Sequence, residues 1–449
     1  MNRLNKEQLK ASLPNSGVNL VVAGAGTGKT SSLVEKIKNT ITIGEISPKN
    51  ILILTFSRKA ADEIKERIRS HIGKDADQII SGTFHSFCLG FLRGNSKTFT
   101  DTFGFNGAPS VLNEEAREAL KKKMLHSSLD QFLGLPSNIV EGLWDNLDSI
   151  DKRTLKMLKV FGITDKLRDL MKQFKDLKRS KNLIDFNDMI NFTIEILSNN
   201  KTIRKRINQR FQYVFVDEFQ DTSEDNFRLL KLLLPDKDPN LFVVGDDWQS
   251  IYGFRGAKID YIVNMKKYFP QVNIIKLKKN YRSRKEIVSI SNKFIKKNKI
   301  RTSKKLISTK GNGGEIRGFQ AESMEEELEI LKNILKKEEN HCDDIAILYR
   351  NNWQGKSIIT NINDCKSIKY EKTKLMTIHS SKGLEFETVI ITGVNDGIIP
   401  DMACDIEEER RLMYVGLTRA KERLYIIHHK TPMGEAARFA KELGFSTSQ

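Results

Sequence analysis

The stretch Ala23-Gly24-Ala25-Gly26-Thr27-Gly28-Lys29-Thr30 constrains this chain more than any other part of it. It follows the apolar run Leu20-Val21-Val22 and opens a helical pattern at Lys29. Small residues let backbone N–H groups approach a phosphate, and the helix N-terminus adds a favourable dipole. Lys29 can neutralise β- and γ-phosphate charge, and Thr30 can ligate Mg²⁺. Ala23 stands where the simplest form of this pattern has Gly. A strand, a phosphate-binding loop and a helix in this order belong to a parallel α/β sheet.

The rest of the chain extends that pattern. Ile51-Leu52-Ile53-Leu54-Thr55-Phe56 reads as a second strand, followed by a helix over 59–71. From Asn113 to about Asn200, Leu, Met and Phe recur at helical spacing among many Lys and Asp, and no strand is expected there. Strands return at Tyr213-Val214-Phe215-Val216 and Leu241-Phe242-Val243-Val244, continuous apolar runs suited to a sheet covered on both faces. A second α/β region is expected to hold strands at 272–277, 345–349, 375–378, 389–392 and 424–427. Residues 296–314, rich in Lys, Asn, Ser and Gly, read as a loop. The acidic runs 325–329 and 407–409 read as solvated helix faces.

A phosphate loop needs an acidic partner at a strand end, and Asp217-Glu218 supplies one. Asp217 is suited to hold Mg²⁺ through water, and Glu218 to orient and deprotonate an attacking water. The pair and the loop together make a nucleoside triphosphatase site. Small-molecule kinases and GTPases share such a loop, but neither accounts for the motifs further along the chain. The formal net charge of +18 over 449 residues suggests a polyanionic partner, most simply nucleic acid. The mean hydropathy of −0.43 and the lack of a ~20-residue apolar run argue against a membrane span. Four scattered cysteines without CxxC spacing argue against a zinc site or a disulfide framework, and a cytoplasmic protein is expected.

Five further blocks occur in order: Asp217-Glu218-Phe219-Gln220-Asp221; Gly245-Asp246-Asp247-Trp248-Gln249-Ser250-Ile251-Tyr252-Gly253-Phe254-Arg255-Gly256; Asn280-Tyr281-Arg282-Ser283; Thr377-Ile378-His379-Ser380-Ser381-Lys382-Gly383-Leu384-Glu385-Phe386; and Glu408 to Ala420, which ends Gly416-Leu417-Thr418-Arg419-Ala420. With the phosphate loop, this set resembles the UvrD/Rep/PcrA family of superfamily 1 DNA helicases. Trp248, where many members have Asp, is closer to the helicase IV branch.

The resemblance implies two RecA-like α/β motor domains with ATP in the cleft between them. It implies that Gln8 reads the adenine edge, Tyr281 stacks on the adenine and Glu385 contacts the ribose. By the same resemblance Gln249 senses the γ-phosphate, and Arg282 and Arg419 are the arginine fingers. Catalysis would then rest on Lys29, Asp217, Glu218, Gln249, Arg282 and Arg419, and Mg²⁺ on Thr30 and Asp217. The loop residues Ala23, Gly24, Ala25, Gly26, Thr27 and Gly28 would cradle the phosphates. Phe56, Tyr252 and Phe254 match base-stacking aromatics, and Thr83, His85, Arg255 and His379 match strand-contact positions. Leu183-Ile184-Asp185-Phe186 resembles a motif that returns the chain to the first motor domain.

The expected organisation is a first motor domain at 1–92 and 186–275, a helical insertion at 93–185 and a second motor domain at 276–449. The implied activity is ATP-driven 3′-to-5′ movement on single-stranded or 3′-tailed DNA. An alternative is a nucleotide-gated regulatory subunit of a nuclease complex that unwinds weakly alone. A protein partner or self-association stays open. Ser31 stands where relatives often carry Arg. About 25 residues separate Asn352 from Thr377, too few for the accessory domain that relatives insert there. The stretch from His428 to Pro432 reads as lacking the aromatic hairpin that relatives use to split a duplex, and no nuclease domain is expected.

Overall fold

The computed structural model describes residues 4–132, 134–147, 150–339, 344–363, 373–429 and 436–445. The chain forms two compact units. One comprises residues 1–81, 211–224 and 236–449; the other comprises residues 82–210 and 225–235. Among the described residues no helix is long and apolar enough to cross a membrane.

The first unit contains two large sheets. The strands of the first are β1 (Val18–Ala23), β2 (Ile51–Thr55), β3 (Ile80–Thr83), β4 (Tyr213–Val216), β5 (Leu241–Gly245) and β6 (Asn273–Leu277). Their order is β3-β2-β4-β5-β1-β6. The pairs β2/β4, β4/β5, β5/β1 and β1/β6 are parallel. Every residue of β1, β2, β4 and β5 is buried, which is why these strands appear in the sequence as unbroken apolar runs. Each fully buried Val, Leu or Ile contributes about 1.5–3 kcal/mol relative to exposure. This packing fixes the carboxyl ends of β1 and β4 side by side with β5, and those ends carry the phosphate loop and Asp217-Glu218.

The second sheet comprises β7 (Glu315–Ala321), β8 (Ile345–Tyr349), β9 (Thr373–Thr377), β10 (Phe386–Val394) and β11 (Ala420–His429), in the order β7-β11-β10-β8-β9. All four pairings are parallel. The helix Ile406–Leu417 leads into β11 and carries buried residues around most of its surface. Two parallel sheets with helical crossovers give the expected α/β class with RecA-like architecture.

The differences from the sequence reading lie at sheet edges. β3 and β7 are edge strands, and neither was expected. Ile80-Ser81-Gly82-Thr83 holds one large apolar residue, and β7 is only half-buried along most of its length, so neither makes an apolar run. The stretch 296–314 is not wholly loop: Ile307–Ser308 pairs with Lys279–Asn280. Within 113–200, Leu183–Ile184 forms a two-residue pair with Ser110–Val111. Residues 364–372 and 430–435, on which the expectations of a missing accessory domain and a trimmed hairpin partly rest, lie outside the described residues.

The second unit is helical, and its longest helix is Ile163–Ser180. Leu125, Phe132, Val140, Trp144, Leu167 and Phe174 share one core, with Trp144 and Phe174 edge to face at 5.8 Å. A second aromatic group joins Phe99, Phe103, Phe105 and Phe192. Lys178 bridges Asp185 at 2.7 Å and Asp188 at 2.5 Å, and Asp185 and Asp188 cap the next helix reciprocally.

Candidate nucleotide cleft and nucleic-acid surface

The phosphate loop leaves β1 after Ala23 and enters the helix Lys29–Thr42. Gly26 and Gly28 sit at φ 66° and 77°, a region that favours glycine. A Cβ at Gly28 would stand 2.6 Å from Gln8 Nε2, and one at Gly26 would stand 2.6 Å from Arg282 Cβ. The loop is therefore held on both sides. Gln8 Nε2 donates to the Thr27 carbonyl at 3.1 Å, and Asn280 Nδ2 donates to the Ala25 carbonyl at 2.8 Å. The Tyr281 N–H donates to the Gly26 carbonyl at 2.8 Å. The first-turn N–H groups of Lys29 and Thr30 have no helical carbonyl to reach and are available to an anion.

At the mouth of the cleft, Asn5 and Gln8 form a reciprocal cap on the helix Lys6–Ser12. Asn5 Nδ2 also donates to the Tyr281 hydroxyl at 2.8 Å. Tyr281 is 42% exposed, so one face of its ring is open to a flat ligand. Gln8 and Tyr281, distant in sequence, thus meet at one rim.

On the acidic side, Asp217 is 5% exposed and accepts from the Glu218 N–H at 3.0 Å. Glu218 holds the left-handed conformation, φ 49° and ψ 42°. For a residue other than glycine this costs about 1–3 kcal/mol and persists only where the surroundings enforce it. Its carboxylate meets Lys29 Nζ at 3.2 Å and also accepts from Gln220 Nε2. Burial and the Glu218 charge raise the Asp217 carboxyl well above the usual carboxylate range. Burial pushes Glu218 the same way, but the Lys29 and Lys382 charges outweigh it and hold Glu218 low. Two adjacent carboxylates at the end of β4, Asp217 buried and Glu218 beside it, are hard oxygen donors of the kind that suit a divalent cation.

Arg419 is 1% exposed and lies at the base of the cleft. Its guanidinium donates to the carbonyls of Val415 at 2.9 Å and Leu384 at 3.1 Å, to Thr418 Oγ1 at 3.1 Å and to Gln249 Oε1 at 2.9 Å. Gln249 Nε2 in turn donates to Asp246 Oδ2 at 2.5 Å. Burial, then the neighbouring Arg282, lowers the Arg419 pKa to about 9, so it remains a cation at neutral pH. Arg282 pairs with Glu385 at 2.7 Å and donates to the Thr418 carbonyl at 3.1 Å. Glu385 is therefore engaged by Arg282, and Lys421 lies 3.7 Å from it.

A second group of side chains gathers beyond Gln249. Phe254 is 67% exposed, which excludes core packing. Its ring lies edge-on to His379 at 5.8 Å and 6.0 Å from Tyr252. The Arg255 guanidinium lies 5.2 Å from the Tyr252 ring and 5.4 Å from that of Phe254. Lys382 Nζ sits 4.8 Å above Tyr252. Burial, then Arg350, Arg255 and Lys382, lowers the His379 pKa to about 4, so its ring is neutral at pH 7. Phe56 is half-buried just before the helix Arg58–Ile72. Thr83, the last residue of β3, caps the helix Phe84–Gly94, and His85 packs edge to face on Phe186 at 5.2 Å.

Residues 4–270 match the UvrD/REP helicase N-terminal domain, and residues 275–372 and 358–431 match the UvrD-like helicase C-terminal domain. The chain belongs to the UvrD/REP helicase family. It is 34% identical over 367 residues to a protein described as ATP-dependent DNA helicase PcrA from Staphylococcus aureus strain Mu50, covering 79% of this chain and 49% of that protein. A PcrA from Staphylococcus epidermidis strain ATCC 12228 is 33% identical over 364 residues, covering 79% of this chain and 48% of its own length. The chain thus spans about half the length of the relatives it matches.

Several residues of this UvrD-family cleft were not assigned roles from sequence. Asn5 orients Tyr281, and Asn280 holds the phosphate loop. Lys382 donates to Asp221 at 2.5 Å and to the Gln249 carbonyl at 3.2 Å. Burial raises the Asp221 pKa to about 6, even against the Lys382 charge. Asp246 and Lys382 lie inside quoted motifs, where position was a usable signal. Lys304, fully buried at 2.6 Å from Asp246, had none, because it sits in a Lys-rich stretch that resembles exposed surface.

Proposed function

We propose that this chain is an ATP-driven DNA motor of the helicase class, which moves 3′-to-5′ along one strand and couples hydrolysis in the cleft to grip at the aromatic surface. The observation that carries the reading is Lys382. Its ammonium touches Asp221 and the Gln249 backbone on the cleft side and the Tyr252 ring on the other. A change in Gln249 therefore has a short physical route to Tyr252, Phe254 and His379.

In this reading the loop 23–30 and Lys29 cradle the triphosphate, Tyr281 and Gln8 bracket the base, and Glu385 exchanges its Arg282 partner for the ribose. Thr30 and Asp217 would hold Mg²⁺ together with phosphate oxygens, and the ion would neutralise charge on the transferred phosphoryl group. Glu218 orients and deprotonates the attacking water. Arg282 and Arg419 turn their guanidinium groups to the equatorial oxygens, where charge develops. Tyr252, Phe254, Arg255 and Phe56 stack on or flank successive bases beside His379, and Thr83 and His85 keep the strand-contact roles that the resemblance implies for them. Stacking tolerates any base and gives weak sequence preference.

The direct test is steady-state ATP hydrolysis with and without single-stranded DNA. Hydrolysis is expected to be slow alone and to rise severalfold or more with DNA, as strand binding orders the Gln249 route. Equal turnover in both conditions would reject coupling. Phe254→Ala is expected to weaken single-strand binding by about 1–3 kcal/mol at fixed salt without lowering the melting temperature, since the exposed ring contributes little to the core. Unchanged affinity would remove Phe254 from the strand path. Strand separation on 3′-tailed against 5′-tailed duplex tests the direction.

A further inference from the structure

Lys304 lies in the segment between the helix Lys285–Ile295 and β7, and its side chain is fully buried. Its ammonium contacts Asp246 Oδ1 at 2.6 Å and Asp247 Oδ1 at 2.7 Å, and stands 4.5 Å from the centre of the Trp248 ring. Two residues earlier, the Thr302 N–H and hydroxyl both donate to Asp247 at 2.6 Å. Two residues later, Leu306 covers the phosphate loop so closely that a Cβ at Gly24 would stand 2.3 Å from its Cδ2. Asn292 clamps Leu306 through both backbone polar groups, at 2.9 and 3.1 Å. This segment is thus a rigid bracket between the phosphate loop and the Asp246–Gln249 turn.

The other oxygen of Asp246 accepts from Gln249 Nε2, and the Gln249 side-chain oxygen Oε1 accepts from Arg419. Lys304, Asp246, Gln249 and Arg419 therefore form one line of charge-assisted contacts. Burial works against the Lys304 charge, but the two carboxylates outweigh it and keep the ammonium protonated. The Trp248 face adds a cation–π contact. Without Lys304, two buried carboxylates would face each other and Asp246 would lose the group that fixes its orientation.

We propose that Lys304 is a positioning residue for ATP hydrolysis, acting through Asp246 on Gln249 and so on Arg419. This rests on the nucleotide-cleft reading above. The experiment measures kcat and KM for ATP with saturating single-stranded DNA in wild type, Lys304→Met, Gln249→Ala and the double variant. Rates are expressed per nucleotide site, titrated with a slowly hydrolysed ATP analogue so that misfolded protein is not counted.

Lys304→Met is expected to lower kcat about tenfold or more while KM changes less than about threefold. In the Gln249→Ala background the same substitution is expected to add less than about a twofold loss, because its route is already cut. An unchanged kcat per site in Lys304→Met, or losses that multiply in the double variant, would overturn the proposal while leaving the cleft reading intact. Absence of hydrolysis in wild type would overturn both. If Lys304→Met does not fold, Lys304→Met combined with Asp247→Asn buries one charge fewer and takes its place in the same cycle, with the same outcomes deciding.

Discussion

Glu218→Gln is expected to lower DNA-stimulated ATP hydrolysis by roughly 10²-fold or more while nucleotide and DNA binding persist. The amide keeps the size of the side chain and can still accept from Gln220 Nε2, so the left-handed backbone at this position retains its support. The Lys29 ion pair is lost, but the Glu218 side chain is 29% exposed, and such a pair contributes at most about 1 kcal/mol. What disappears is the carboxylate that the proposed mechanism uses as proton acceptor. In the free cleft Lys29 neutralises Glu218. In the proposed mechanism Lys29 turns to the phosphates, and Glu218 would then lose that partner and become more basic as a water is activated. A fluorescent-nucleotide titration and a phosphate-release assay on the same sample separate binding from chemistry. Hydrolysis near the wild-type rate would assign the base elsewhere.

Arg419→Lys is expected to lower kcat by a similar or larger factor, on the order of 10²-fold or more, although formal charge is kept. The guanidinium reaches Val415, Leu384, Thr418 and Gln249 in several directions at once. A lysine ammonium offers its donors from a single point and cannot span them, so at least one buried acceptor is orphaned at about 1–3 kcal/mol. Burial already lowers the Arg419 pKa to about 9. A lysine starts from a lower value, and the same burial drives it closer to deprotonation at neutral pH. The variant should therefore lose stability in urea and lose turnover per folded site. A variant that is destabilised but turns over normally per site would reduce Arg419 to a structural cation.

The parts of the cleft legible from sequence are those where the chemistry is local. The phosphate loop needs small residues, Lys29 and Thr30 in consecutive positions, and Asp217-Glu218 needs a buried strand immediately before it. Central strands such as β4 and β5 could be read because both faces are covered, which imposes continuous apolar runs. Edge strands β3 and β7 could not, since a half-exposed strand carries polar residues that read as loop.

Assignment of Gln249, Tyr281, Arg282 and Arg419 to one cleft came from the resemblance, but their partners in the fold did not. Tertiary structure alone decided that Arg282 pairs with Glu385, 103 residues away, and that Lys304 meets Asp246 across 58 residues. A lysine in a Lys-rich stretch carries no mark of burial in its own neighbours. It is buried here because the segment containing it is clamped by Asn292 and closed over by Trp248, and only the folded chain brings those groups to it.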